Sequence, residues 1–147
     1  MRRIFLWINL VAASVVALLI FLQAYLITAY VAGAGESALD AHGFVGFAVI
    51  HLLEIIVFLT AFGAWPRQWR WIGTTFLFAL VGTIQVFLAP TDDSDASGWL
   101  HGLHGLLALV VLVLAAVIAH RAMRDLGLRR GRDDAASAGT VPPPPLP

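Results

Sequence analysis

The chain has no cysteine and no lysine, and it carries few charges of either sign. Without cysteine it forms no disulfide, no thiolate metal site and no covalent CxxCH haem attachment. All nine basic residues are arginine, and no basic run is interleaved with aromatics as nucleic-acid binding requires. Charged residues are only 12% of the 147 positions, about half the share usual in soluble chains, whereas 60% are hydrophobic. A soluble domain of this size cannot hide so much apolar surface, which makes lipid the expected solvent and the bilayer the first expected partner.

A bilayer core of about 30 Å needs roughly 20 apolar residues in a helix. Four stretches qualify, at about residues 4–30, 41–65, 71–88 and 99–119. Gly33, Gly35, Glu36 and Asp40 break the chain after the first, Pro66–Arg70 after the second, and Pro90, Asp92, Asp93 and Asp95 after the third. Breaks this short make successive helices antiparallel neighbours. The expected fold is all-α, an antiparallel four-helix transmembrane bundle over residues 1–124. The first stretch is too long for the 7–15-residue apolar region of a cleaved signal peptide.

Arginine placement sets the expected orientation. Arg2 and Arg3 precede the first span, Arg67 and Arg70 separate the second from the third, and Arg121, Arg124, Arg129, Arg130 and Arg132 follow the fourth. The alternate loops hold none, so the positive-inside rule puts both termini in the cytoplasm. Trp7, Trp65, Trp69, Trp71 and Trp99 fall at predicted span ends, as in an aromatic belt. Residues 125–147 turn basic, then Ala/Ser/Gly-rich, then polyproline, and read as a disordered cytoplasmic tail.

The two halves echo one another. His42-Gly43-Phe44-Val45-Gly46 and His101-Gly102-Leu103-His104-Gly105 both read H-G-x-x-G, and Leu22–Leu26 resembles Ile84–Leu88 around Gln23 and Gln85. This suggests a duplicated helical hairpin with a two-fold axis along the membrane normal. His42 and His101 then face each other across the bundle.

Polar residues inside spans are costly and mark functional sites. Here they are Gln23, His42, His51, Glu54, Gln85, His101 and His104. Neutral imidazoles on facing helices are the ligand set of a b-type haem. His42 and His101 are the expected iron ligands; His104, one turn on and sharing a face with His101, can serve in its place. Gly43, Gly46, Gly102 and Gly105 clear side chains beside them, which lets a flat macrocycle approach. His51 lies nine residues beyond His42, half a rotation away on a straight α-helix. His51 and Glu54 therefore address another seam as a hydrogen-bonded pair or a proton relay. One in-span carboxylate is too few for a bundle di-metal site. Gln23 and Gln85 are expected to form interhelical hydrogen bonds, and His120 to sit at the interface.

Short-looped spans with a glutamine in the first and third, a histidine opening the second and a histidine pair opening the fourth resemble a family of small, uncharacterised bacterial four-helix membrane proteins. The resemblance covers about residues 1–125 and implies the fold and a bacterial inner-membrane location. The arrangement is also similar to one half of haem A synthase, whose four-helix halves hold haem between histidines of the second and fourth helices. Position by position this implies His42 with His101 or His104. The Glu-x-x-His pattern of that enzyme is absent here, since Leu39 stands three residues before His42. Haem binding for electron transfer or haem handling is thus the leading expectation, with no catalytic residue assigned. A non-enzymatic subunit of a larger membrane complex, or a small proton-coupled carrier that uses His51 and Glu54 and oligomerises, are the alternatives.

Overall fold

Alternating long apolar runs and short glycine- or proline-bearing breaks fold into five helices, seen in a computed structural model that describes residues 1–88 and 95–128. They are α1 (Arg2–Ala29), α2 (Glu36–Phe44), α3 (His51–Ala64), α4 (Trp69–Phe87) and α5 (Asp95–Asp125). A π-helical segment, Val45–Ile50, joins α2 to α3, so the two run as one interrupted rod. The described chain thus has four helical segments long and apolar enough to cross a membrane: Arg2–Ala34, Glu36–Ala64, Trp69–Phe87 and Gly98–Asp125. Side chains such as Leu18, Phe21, Phe47, Leu59, Phe76 and Val113 stand exposed around the outside. That continuous apolar exterior suits hydrocarbon rather than water.

The first span packs against α3 and α5, and α4 packs against the same two. The second and fourth spans are therefore diagonally opposite, as are the first and third. The reversals are tighter than expected. Helical turns continue past Tyr30 until the chain turns on Gly33 (φ 95°) and Gly35 (φ 90°), a backbone region that glycine enters without steric cost. The second span begins at Glu36 rather than near residue 41. Pro66 and Arg67 (φ 63°) make the other described reversal. The fourth span is helical from Asp95 to Asp125, well beyond 99–119, because Arg121 and Asp125 pair one turn apart at 3.1 Å and carry the helix onward. The acidic stretch with Pro90, Asp92 and Asp93 and the tail from Arg129 to Pro147 lie outside the described residues.

Packing is uneven along the bundle. Toward the arginine-bearing end, Leu6, Ala13, Val16, Val57, Ala61, Trp65, Phe78, Val111, Ala115 and Ile118 form a tight core. Toward the other end no described residue from 21 to 49, or from 83 to 110, is buried. The helices are packed at one end and loose at the other.

Candidate functional site

The loose end is where the histidines meet. His42, on α2, and His104, on α5, have ring centres 6.2 Å apart, with ring planes inclined at 51°. Each ring is tethered the same way. His42 Nδ1 lies 3.2 Å from the carbonyl oxygen of Gln23, and His104 Nδ1 lies 3.0 Å from that of Gln85. A carbonyl oxygen only accepts, so each Nδ1 carries the proton and donates. In a neutral imidazole so held, the lone pair is on Nε2. A histidine whose second nitrogen is held by a backbone carbonyl is oriented and tautomerically fixed as metal-binding histidines are.

Gly43, Gly102 and Gly105 stand exposed on the outside of the bundle. An added Cβ at Gly43, Gly102 or Gly105 would meet nothing within 4 Å. Gly46 differs: the Gln23 amide nitrogen lies over it and donates to the His42 carbonyl oxygen at 3.0 Å. Gln23 and His42 thus bind each other twice, backbone to side chain in both directions, and lock the first span to the second. Gln23 Oε1 is buried without a partner among the described residues. The expected interhelical role of Gln23 is seen. At Gln85 the main chain makes the described contact, to His104.

The two tethers also set the register of the repeat. Gln23 to His42 and Gln85 to His104 both span 19 residues. His42 therefore corresponds to His104, whereas aligning the H-G-x-x-G strings would match it to His101. The dipeptide His-Gly is present in either alignment. His101 lies a turn earlier on α5, exposed.

His51 and Glu54 lie elsewhere, in the seam with α4. His51 Nδ1 is 3.3 Å from Glu54 Oε2, and the glutamate side chain is 1% exposed. Its carboxyl rests directly on Gly82, where an added Cβ would have to displace it. Glu54 Oε1 has no partner among the described residues. The π segment alters the rotation expected for a straight helix between His42 and His51, because its i→i+5 bonds take an extra residue into one turn.

Two polar groups escaped the sequence reading. Asn9 is fully buried and donates to the Phe5 carbonyl at 3.0 Å and to Thr60 Oγ1 at 2.9 Å, coupling the first two spans. An asparagine inside an apolar run was the available signal. Asp125, read as the start of a tail, is a clasp. Its Oδ2 accepts from Trp65 Nε1 at 2.8 Å, Arg121 Nε at 3.1 Å and Arg2 Nη2 at 3.4 Å. Trp65 is wholly buried there rather than standing in an interfacial belt.

Among the described residues no group of three or more His, Cys, Asp or Glu side chains is placed to hold a metal ion. Comparison with protein-family models, curated proteins and solved structures gave no match. The site's chemistry therefore rests on its own geometry.

Proposed function

We propose that the protein binds one b-type haem between His42 and His104 and serves in electron transfer or haem handling in a bacterial inner membrane. The observation that carries this reading is the symmetric tethering of two imidazoles in the loosely packed end of the bundle. His42 and His104, with ring centres 6.2 Å apart, are the two side chains that would hold the iron. Two protein ligands do not complete a metal site alone, whereas a porphyrin brings four nitrogens of its own. The donor set thus fits haem better than a bare ion. Gln23 Oε1, held beside His42, is an acceptor with no partner among the described residues. Haem, when bound, supplies one-electron redox chemistry. The chain's own residues orient the imidazoles through the Gln23 and Gln85 carbonyls and surround the site with apolar helices.

Orientation belongs to the same proposal. The bundle brings Arg2, Arg67, Arg70, Arg121 and Arg124 to one end, which supports both termini in the cytoplasm and the histidines near the outer face.

The test is the visible spectrum of detergent-purified protein, expressed with haem precursor and then reduced with dithionite. A sharp Soret band with resolved α and β bands is expected. His42→Ala and His104→Ala each lose the six-coordinate spectrum, and His101→Ala keeps it. A colourless, folded, helical protein that always carries one larger partner overturns haem binding in favour of an accessory subunit.

A second reading draws on Glu54. An in-span carboxyl with an unpartnered oxygen beside His51 is the group a proton-coupled carrier would use. Unchanged pH dependence of transport in a Glu54→Gln variant removes it.

A further inference from the structure

The arginine-bearing end holds a groove of about 440 Å³ lined by Trp71, Val113, Ala116, Val117, His120, Arg121 and Arg124. Val113 is 61% exposed, so the groove opens sideways, where lipid would stand, and not along the bundle axis. Its mouth is cationic and its wall apolar. From Val113 to Arg124 the helix rises about 16 Å, close to the roughly 15 Å depth of one leaflet's hydrocarbon.

Charge at the mouth is unbalanced. Among the described residues this end carries Arg2, Arg3, Arg67, Arg70, Arg121 and Arg124 against Asp125 alone. Asp125 is already shared by Arg2, Arg121 and Trp65. Arg121 is held rigid, by Asp125, by Gln68 Oε1 at 3.4 Å and by the Trp71 ring 5.0 Å beneath its guanidinium. Arg124 makes no ion pair among the described residues. A fixed guanidinium beside an uncommitted one, above an apolar wall that opens to lipid, matches a phosphodiester with an acyl chain below it.

We propose that this groove holds one anionic phospholipid, with its phosphate on Arg121 and Arg124 and an acyl chain along Val113, Ala116 and Val117. The proposal does not depend on haem. It is tested by native mass spectrometry of the full chain in detergent, titrated with phosphatidylglycerol and, separately, phosphatidylcholine. One phosphatidylglycerol is retained in preference to phosphatidylcholine. Arg124→Gln weakens that retention about fivefold, the effect of one arginine at a membrane surface. Arg67→Gln/Arg70→Gln, on the same end but outside the groove, retains it. Inorganic phosphate at millimolar concentration does not displace the lipid. Equal retention of both lipids, an equal loss in Arg67→Gln/Arg70→Gln, or full displacement by inorganic phosphate overturns the proposal. The first removes headgroup selectivity, the second leaves only diffuse surface charge, and the third leaves a free-anion site. Helical circular dichroism confirms that each variant is folded.

Discussion

Single side chains decide more here than composition suggests. Asp125 accepts three donors from three parts of the chain, and hydrogen bonds to a charged group contribute about 1.5–3 kcal/mol. Asp125→Ala should therefore lower stability by about 2 kcal/mol, measured by unfolding in mixed detergent and followed by fluorescence. Gly82 and Glu54 make a tighter case. A methyl at Gly82 collides with the Glu54 carboxyl, so Gly82→Ala should cost about 1–3 kcal/mol as overpacking. Combining it with Glu54→Ala should recover part of that loss, and simple additivity of the two would show that they do not touch. Gly43→Ala, with open space around it, should be neutral or slightly stabilising in the same assay. The importance of Glu54 was legible, since a carboxyl inside an apolar run stands out. That of Asp125 was not, because an acid among arginines at a helix end looks solvated until the fold brings Trp65 and Arg2 to it.

At the scale of elements, the four spans followed from hydropathy and arginine spacing, because lipid demands long apolar helices and leaves few alternatives. Their ends did not, since polar turns extend a helix beyond the hydrocarbon without any apolar signal. The π segment was hidden altogether: Val45–Ile50 reads as ordinary apolar helix, and its bonding is chosen by packing. The identity of the facing histidine was half legible. His101 and His104 are three residues apart, which on a helix is nearly one turn, and the repeated H-G-x-x-G string favoured the first. The matched glutamines already implied the other register, and the 19-residue Gln-to-His spacing in both halves bears it out. A deletion of Ala48 should return the second span to α-helical register and turn His42 by about 100° against His51 and Glu54. If the haem reading holds, that variant keeps its helical circular dichroism and loses the six-coordinate spectrum.

The whole molecule is built asymmetrically. A tight arginine-bearing end carries the core and the clasp, and a loosely packed end carries the tethered histidines. Stability and site chemistry are thereby separated along the bundle, so histidine variants should change ligand binding with little change in unfolding. Orientation makes the remaining prediction. A reporter active only in the cytoplasm should be active when fused after the fourth span and inactive when placed after Gly35; the reverse pattern would invert the proposed topology.

The Asp125 clasp also bears on how the molecule is made. Arg2 and its acidic partner are separated by 123 positions, with three further spans lying beyond the first. A nascent chain delivers the arginine long before the carboxylate, which stands on the last turn of α5. Until that turn leaves the ribosome, Trp65 and Arg2 have no anion to hold them, and three inserted helices remain an unfastened set. The closing residue is therefore late in time as well as distant in sequence: a chain cut just before it would keep all four spans and lose the latch.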